Sequence, residues 1–247
     1  MSKHFELMQQ LERERVYDPD PNVPVTVAAR NGSHVLSQDG WASEEALRLV
    51  QQIFALQAQE PPRLVVFAGI EHGNGCSRIS ASVAETLART GRGRVCLVEA
   101  NFRSPALPEM LGVPNHFGLT EALLREGPVD TFVKPLRQGN LWLLSSGSLA
   151  IDSPSLLSSD RLRARVAELR LQFDFVIIDA PPLTRYSDAV VFGQLSDGLV
   201  MVIEANSTRR EAAAAVAENV RTAKVPILAA VLNKRTFPIP QKIYGWL

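Results

Sequence analysis

A glycine-rich turn that joins an apolar run to a helical pattern is the part of this sequence best suited to chemistry. The turn spans residues 67–78, and its residues of chemical interest are Gly69, Gly73, Gly75, Cys76 and Ser77. Backbone N–H groups in such a turn, and at the start of the following helix, face an anion such as a phosphate, and a hydroxyl at the position of Ser77 binds Mg²⁺. The spacing therefore predicts a phosphate-binding loop.

The cation that usually completes such a loop is missing from this sequence. A lysine normally stands directly before the hydroxyl residue and reaches the β- and γ-phosphates, whereas Cys76 occupies that position here. Arg78 lies two residues further on, which turns its side chain roughly 200° around the helix axis. Loss of one positioned group of this kind lowers a phosphoryl-transfer rate by about 10²–10³. We therefore expect ATP or ADP with Mg²⁺ to bind weakly or not at all.

Two carboxylates stand at the ends of predicted strands. Asp179 closes the apolar run that starts at Phe175, and Glu99 lies near the end of the run over residues 94–100. In a parallel sheet the carboxyl ends of the strands form the ligand-binding edge, so both carboxylates should lie beside the glycine turn. Asp179 is placed to hold Mg²⁺ or its water, and either residue is a candidate acid or base.

Strand and helix patterns alternate through a predicted domain that spans residues 41–235. The predicted strands are Leu64–Ala68, Arg94–Ala100, Leu141–Ser145, Phe175–Asp179, Gly198–Glu204 and Ile227–Leu232. The predicted helices are residues 43–56, Ser77–Thr90, Leu119–Arg125, Asp160–Leu171, Ser187–Leu195 and Thr208–Ala223. Thr208 and Glu211 form a capping-box pair at the start of the last helix. Continuous apolar strands alternating with helices predict an α/β fold with a mostly parallel central sheet and helices on both faces.

The two ends of the chain are predicted to lie outside this domain. Residues 1–40 read as a short amphipathic helix over residues 3–15 followed by a flexible linker, and residues 236–247 as a C-terminal tail. The 26 Lys and Arg residues equal the 26 Asp and Glu residues, so no nucleic-acid partner is indicated. No apolar run approaches the length of a membrane span, and the N-terminus lacks a signal-peptide core. We expect a cytoplasmic protein that a partner recruits to the inner face of the cell membrane.

From about Ser43 to its end, the chain resembles the P-loop type of bacterial tyrosine kinase. These are cytoplasmic domains that accompany capsule and exopolysaccharide chain-length regulators, and they are relatives of the MinD/ParA ATPases. The segments that carry the resemblance are residues 45–48, 67–78, 117–123, 153–159, 175–182, 187–189 and 197–198. The resemblance implies a P-loop NTPase fold, an oligomerisation helix with Glu45 and Arg48, nucleotide contacts from Arg103 and Asn233, and Tyr244 as the candidate phospho-acceptor.

The departures from the family pattern lie mainly in the motifs that carry the family's chemistry. In the loop, Cys76 replaces the lysine and His72 replaces a proline. In the second acidic motif, Glu99 replaces the first aspartate and the neutral Asn101 replaces the second. Gln51 replaces the second arginine of the oligomerisation motif. The pattern indicates a kinase-like site with degenerate motifs.

Three functions fit this sequence. The first is a degenerate kinase-like regulator or scaffold that binds an inner-membrane polysaccharide co-polymerase (a chain-length regulator) or an active kinase paralogue, with a homo-oligomer as a further possibility. The second is a working ATPase or tyrosine autokinase of the same pathway. The third is a MinD/ParA-like positioning ATPase.

Overall fold

The computed structural model describes residues 25–27, 44–54, 60–91, 93–136, 139–148 and 153–235, the first of these ranges by its backbone alone. An eight-stranded sheet runs through these residues. Its strands are β1 Val25–Val27, β2 Leu64–Gly69, β3 Val95–Glu99, β4 Lys134–Pro135, β5 Leu141–Leu144, β6 Phe175–Ala180, β7 Gly198–Glu204 and β8 Ile227–Asn233. The strand order is β1-β8-β7-β2-β6-β3-β5-β4. All neighbours are parallel except β4 and β5, as the sequence predicts.

Helices pack on both faces of this sheet. They are α1 Glu44–Phe54, α2 Cys76–Arg89, α3 Leu107–Met110, α4 Leu119–Leu124, α5 Ser153–Leu157, α6 Asp160–Gln172, α7 Asp188–Gln194 and α8 Arg210–Thr222, with a 3₁₀ turn at Val129–Thr131. Buried side chains of α1, α2 and α3 share one apolar cluster with one face of the strands. Those of α4 to α8 share a second cluster with the other face. Successive side chains of a strand point to opposite faces of the sheet, and helices cover both faces, so the strands are continuous apolar runs.

The apolar spacing of the sequence produces the helix that follows the glycine turn. Ile79, Val83 and Leu87 recur every four residues along α2 and are buried against the sheet. Residues at this spacing lie on one face of a helix, so their burial fixes α2 beside β2. The start of α2, and with it Cys76 and Ser77, is thereby held at the carboxyl edge of the sheet.

The six predicted strands are confirmed, each with bounds within one residue of those expected. Two further strands, β1 and β4, were not predicted. β1 lies inside the stretch expected to be a linker, and its Val25–Val27 pair in parallel with Ala230–Leu232 of β8. An edge strand of three residues is too short to show a periodic pattern, so that part of the linker prediction was wrong. The expected helix over residues 3–15 and the tail over residues 236–247 lie outside the described residues.

The predicted capping box at the start of α8 was also wrong. The helix begins at Arg210, its N-cap residue is Arg209, and no side chain caps it there. Thr208 instead accepts a hydrogen bond at Oγ1 from the backbone N–H of Glu204, at 3.1 Å. The hydroxyl therefore closes the turn after β7 and is not available to the helix.

Candidate functional site

The glycine turn after β2 has a backbone that requires glycine at two positions. Gly73 and Gly75 have φ angles of 86° and 82°, in the left-handed region that other residues enter only at a cost. A Cβ atom on Gly75 would lie 2.3 Å from Nδ2 of Asn233, whereas one on Gly73 would meet no atom within 4 Å. Gly75 is thus constrained by its conformation and by a close neighbour, and Gly73 by its conformation alone.

Side chains from two other strand ends hold the turn in place. Asn233, the last residue of β8, donates from Nδ2 to the backbone carbonyl of Asn74 at 2.8 Å. The buried Asn74 accepts from the backbone N–H of Glu71 at 2.6 Å and donates to Glu204, the last residue of β7, at 3.3 Å. Lys234 forms an ion pair with the same Glu204 at 3.1 Å. Asn233, which the family resemblance assigns to nucleotide contact, therefore also braces the turn.

The first turn of α2 points its backbone N–H groups out of the helix. The first bond of the helical ladder runs from the N–H of Ile79 to the carbonyl of Gly75, at 3.2 Å. The N–H groups of Cys76 and Ser77 precede that bond and belong to the set that a helix cannot satisfy internally. Together with the positive end of the helix dipole they favour an anion. The backbone of a phosphate-binding loop is therefore present.

Asp179 of β6 lies against the side chains of this first turn. It is buried, and its carboxylate accepts hydrogen bonds from the Ser77 hydroxyl, the Cys76 thiol and the Ser80 hydroxyl. The Ser80 Oγ lies 3.3 Å from Oδ1 of Asp179 and 3.0 Å from the carbonyl of Cys76. The structure brings the predicted residues Ser77 and Asp179 together, and it adds Ser80, which sequence reasoning missed. Its position four residues after Cys76, on the same face of the helix, was the available signal.

Glu99 of β3 is opposite Asp179 in the parallel pairing of β3 with β6. It is fully buried and accepts three backbone N–H bonds, from Asn101 at 3.1 Å, Ala106 at 2.8 Å and Leu107 at 2.9 Å. Its side chain therefore anchors the segment that leads into α3. We predicted a residual acid or base here, and the structure shows a carboxylate whose two oxygens already have backbone donors.

The two carboxylates have raised pKa values because burial penalises their charged forms. Burial raises the pKa of Glu99 to about 8, and the charge of Asp179 adds to this effect. Burial also raises the pKa of Asp179, to about 6, although the hydrogen bonds that this carboxylate accepts lower it. In the described structure, the hydrogen-bond partners of both carboxylates are hydroxyls, a thiol and backbone N–H groups. None of them is a cation. Burial and the nearby Asp179 also raise the pKa of the Cys76 thiol well above its ordinary value.

Arg103 lies beyond Glu99 and contacts a different set of residues. Its guanidinium forms an ion pair with the buried Asp188 at 2.5 Å and lies 4.1 Å from the centre of the Tyr186 ring. Asn101, between Glu99 and Arg103, accepts a bond from the backbone N–H of Ser104 at 3.2 Å. Arg103 was predicted to contact nucleotide, and the described contacts join it to the segment that follows β6.

The predicted oligomerisation residues lie on α1. This helix buries five residues, Ala46, Leu49, Val50, Ile53 and Phe54. Arg48 is on its exposed side and forms an ion pair with Glu44 one turn earlier, at 2.7 Å, while Glu45 is half-buried. Oligomerisation through Glu45 and Arg48 stays a prediction. Tyr244, the predicted phospho-acceptor, lies outside the described residues.

The candidate ligands of a Mg²⁺ ion, Ser77 and Asp179, lie within the described ranges. No group of three or more His, Cys, Asp or Glu side chains there could hold a metal ion, so Ser77 and Asp179 would need phosphate and water to complete a Mg²⁺ shell. Every helix in those ranges is too short or too polar to cross a membrane.

Solved structures with the same architecture identify the fold. The chimerical protein CapA2B2 matches with a TM-score of 0.80 over 94% of this chain and 99% of its own, at 21% identity. The septum site-determining protein MinD from Pyrococcus horikoshii, solved with Mg-ADP, matches with a TM-score of 0.58 over 73% of this chain and 75% of its own, at 19% identity. The fold is that of the P-loop NTPases of the MinD/ParA type.

Sequence relatives identify the family within that class. The tyrosine-protein kinase YwqD from Bacillus subtilis is 32% identical over 161 residues, which cover 65% of this chain and 68% of YwqD. The chain therefore belongs to the family of bacterial tyrosine-protein kinases. The succinoglycan biosynthesis transport protein ExoP from Rhizobium meliloti is 28% identical over 175 residues, 70% of this chain but 22% of ExoP. No protein-family profile matches the chain.

Proposed function

We propose that this protein is a regulator or scaffold in exopolysaccharide or capsule biosynthesis and export, built on a tyrosine-kinase fold whose own phosphoryl transfer is weak or lost. The observation that carries the proposal is Cys76. It stands where the loop lysine belongs, and its thiol hydrogen-bonds to Asp179. A neutral donor there supplies no charge to the γ-phosphate, whose neutralisation is the main task of such a site.

The electrostatics of the neighbouring carboxylates support this proposal. Glu99 and Asp179 lie side by side with raised pKa values and without a contacting cation among the described residues. A triphosphate that enters this site meets a neutral thiol where a kinase presents a lysine, and the carboxylate of Asp179 lies beside that thiol. The backbone of the turn, Ser77 and Asp179 still suit a Mg²⁺-bound nucleotide, and Mg²⁺ would neutralise part of the phosphate charge. Nucleotide binding is therefore expected to be weak and to depend on Mg²⁺.

The pathway and the partner are proposed from the relatives. YwqD and CapB of Staphylococcus aureus are named as tyrosine kinases, and ExoP as a succinoglycan biosynthesis transport protein. A chain that has kept this fold and lost the loop lysine is suited to act through its surface. We propose a cytoplasmic location, with recruitment to the inner face of the membrane by a polysaccharide co-polymerase or an active kinase paralogue.

Calorimetry of Mg-ATP and Mg-ADP binding tests the state of the site. The wild type is compared with Cys76→Lys, which restores the cation, and with Cys76→Met, which adds length without charge. We expect binding to Cys76→Lys at least about tenfold tighter than to the other two, a difference of about 1.4 kcal/mol. Micromolar binding by the wild type, unchanged in Cys76→Lys, would overturn the proposal.

A complementation experiment tests the scaffold role separately. A strain that lacks the protein is supplied with the wild type or with Asp179→Asn, and its surface polysaccharide is measured. A scaffold restores the polysaccharide in both cases, because Asp179→Asn leaves the outer surface unchanged. Restoration by the wild type alone, with equal amounts of folded protein, would show that nucleotide chemistry is required.

An active autokinase is the second candidate, and the preserved hydrogen bond between Ser77 and Asp179 favours it. That bond places the hydroxyl and the carboxylate together as Mg²⁺ ligands require. This function predicts transfer of labelled γ-phosphate from ATP to Tyr244, with loss of label in Tyr244→Phe. Equal labelling of Tyr244→Phe and wild type would exclude Tyr244 as the acceptor. The described site offers no observation that favours a positioning ATPase.

A further inference from the structure

A cavity of about 520 Å³ opens beside Arg103, and the proposed function makes no use of it. Its walls come from the segment after β3, the end of α5, the first turn of α6 and the stretch from Arg185 to the end of α7. Residues of the glycine turn are not among those that line it. The cavity is therefore a second concave site, built by the helices on one face of the sheet.

Three arginines bring positive charge to this cavity. Arg103 is paired with Asp188, and the Tyr186 ring lies against its guanidinium, so this arginine is held in a fixed orientation. Arg163 and Arg185 also line the cavity and are exposed, and within the described part of the chain neither side chain forms an ion pair. One paired and two unpaired arginines with a single carboxylate leave a net charge of about +2, the match for a phosphate monoester near neutral pH.

The remaining walls suit the organic part of such a ligand. Leu157, Val191 and Leu195 present apolar surface, and the Tyr186 ring adds an aromatic face. The volume falls within the range of roughly 300–1,000 Å³ that is usual for small-molecule sites. Arginine forks bind phosphate oxygens in pairs. We propose that this cavity binds a small organic phosphate monoester, with Arg163 and Arg185 on the phosphate and the apolar wall on the attached group.

The proposal does not depend on the state of the glycine turn. The turn uses backbone N–H groups, Ser77 and Asp179, whereas the cavity uses arginine side chains from α6 and from the stretch after β6. A protein that has lost nucleotide binding at the turn would still bind a phosphate ester here. Such a site would let a regulator respond to a phosphorylated metabolite.

The test is calorimetric titration of the full chain with phenyl phosphate, at low salt and about pH 7.5, where the monoester carries nearly two charges. Phenyl sulfate, with the same ring and one charge, is titrated in parallel. We expect phenyl phosphate to bind the wild type, and to bind Arg163→Gln/Arg185→Gln at least tenfold more weakly. Arg89→Gln, which alters an exposed arginine at the far end of α2, should bind as the wild type does.

Four other results would contradict the proposed ligand or its site. Equal binding to the wild type and the double variant would place the ligand elsewhere and overturn the proposal. Loss of binding in Ser77→Ala would assign it to the glycine turn and also overturn the proposal. Equal affinity for phenyl sulfate would exclude recognition of a dianion. If a phosphotyrosine peptide binds and phenyl phosphate does not, the small-molecule assignment is wrong. None of these results depends on whether ATP binds, so they leave the proposed function to its own test.

Discussion

Glu99 and Asp179 stand opposite each other at the carboxyl ends of adjacent parallel strands, both buried, with hydroxyl, thiol and backbone N–H donors as the partners described for them. In a complete phosphate-binding loop, a lysine at the position of Cys76 reaches the β- and γ-phosphates. Here Cys76 contributes a thiol in its place.

The stability of the protein should fall as the pH rises from about 5 to 8. Burial raises the pKa of Glu99 from 4.5 to about 8, so over this range the folded protein keeps a proton that the unfolded chain has released. Fewer protons bound in the unfolded state means that stability decreases with pH, by up to about 1.4 kcal/mol per pH unit. Urea unfolding at several pH values should show this slope in the wild type and a shallower one in Glu99→Gln. Equal slopes would contradict the assignment.

The Cys76 thiol should react slowly with alkylating agents at about pH 8. Burial and the charge of Asp179 raise its pKa well above the ordinary value, and the thiolate is the reactive form. In Asp179→Asn the charge is removed, and we expect faster modification of the native protein. Cys96 is fully buried and should react only after unfolding, which gives an internal control. Rapid labelling of wild-type Cys76 would show that the thiol is activated, against this prediction.

Alanine should be tolerated better at Gly73 than at Gly75. Both positions have positive φ, which costs alanine about 1–2 kcal/mol. At Gly75 the added Cβ also meets Nδ2 of Asn233 at 2.3 Å, and a forced contact of that kind costs typically 1–3 kcal/mol more. Thermal or urea unfolding of Gly73→Ala and Gly75→Ala measures the difference.

A double-mutant cycle with Asn233→Ala separates the contact from the backbone strain at Gly75. The extra cost of Gly75→Ala should disappear when Asn233 is already alanine. If the cost is the same in both backgrounds, the clash does not occur and the strain alone is measured.

Replacement of Arg165 should be among the most destabilising single changes on α6. Its buried guanidinium donates to the carbonyls of Ala122, Arg125 and Gly127 at 2.6–2.9 Å and to Glu168. Arg165→Met would leave these acceptors without a donor, and each buried acceptor left unsatisfied costs about 1–3 kcal/mol. Arg163→Met, at an exposed position two residues earlier, should change stability by less than about 0.5 kcal/mol. Similar unfolding midpoints for the two variants would contradict the role of Arg165 as the link between α4 and α6.

Sequence alone determined the six central strands, their parallel arrangement and the placement of the glycine turn, Glu99 and Asp179 at one edge. The physical reason is that apolar runs of strand length alternating with helical periodicity allow few other folds. The sequence alone also showed that Cys76 stands where the loop requires a lysine, because that cation belongs at one fixed position. These features depend on spacing along the chain, and spacing is what a sequence contains.

Tertiary structure decided which side chains meet at that edge. Ser80 joins Asp179 because four residues bring it back to the face of α2 that carries Cys76. Asn233 bonds to Asn74, 159 positions away, and Arg103 pairs with Asp188, 85 positions away. β1 and the cavity beside Arg103 depend on packing between segments far apart in sequence. The long-range contacts leave no periodic signal, because they form only after the sheet order has set the distances between strand ends. The spacing of Ser80 from Cys76, in contrast, was visible in the sequence.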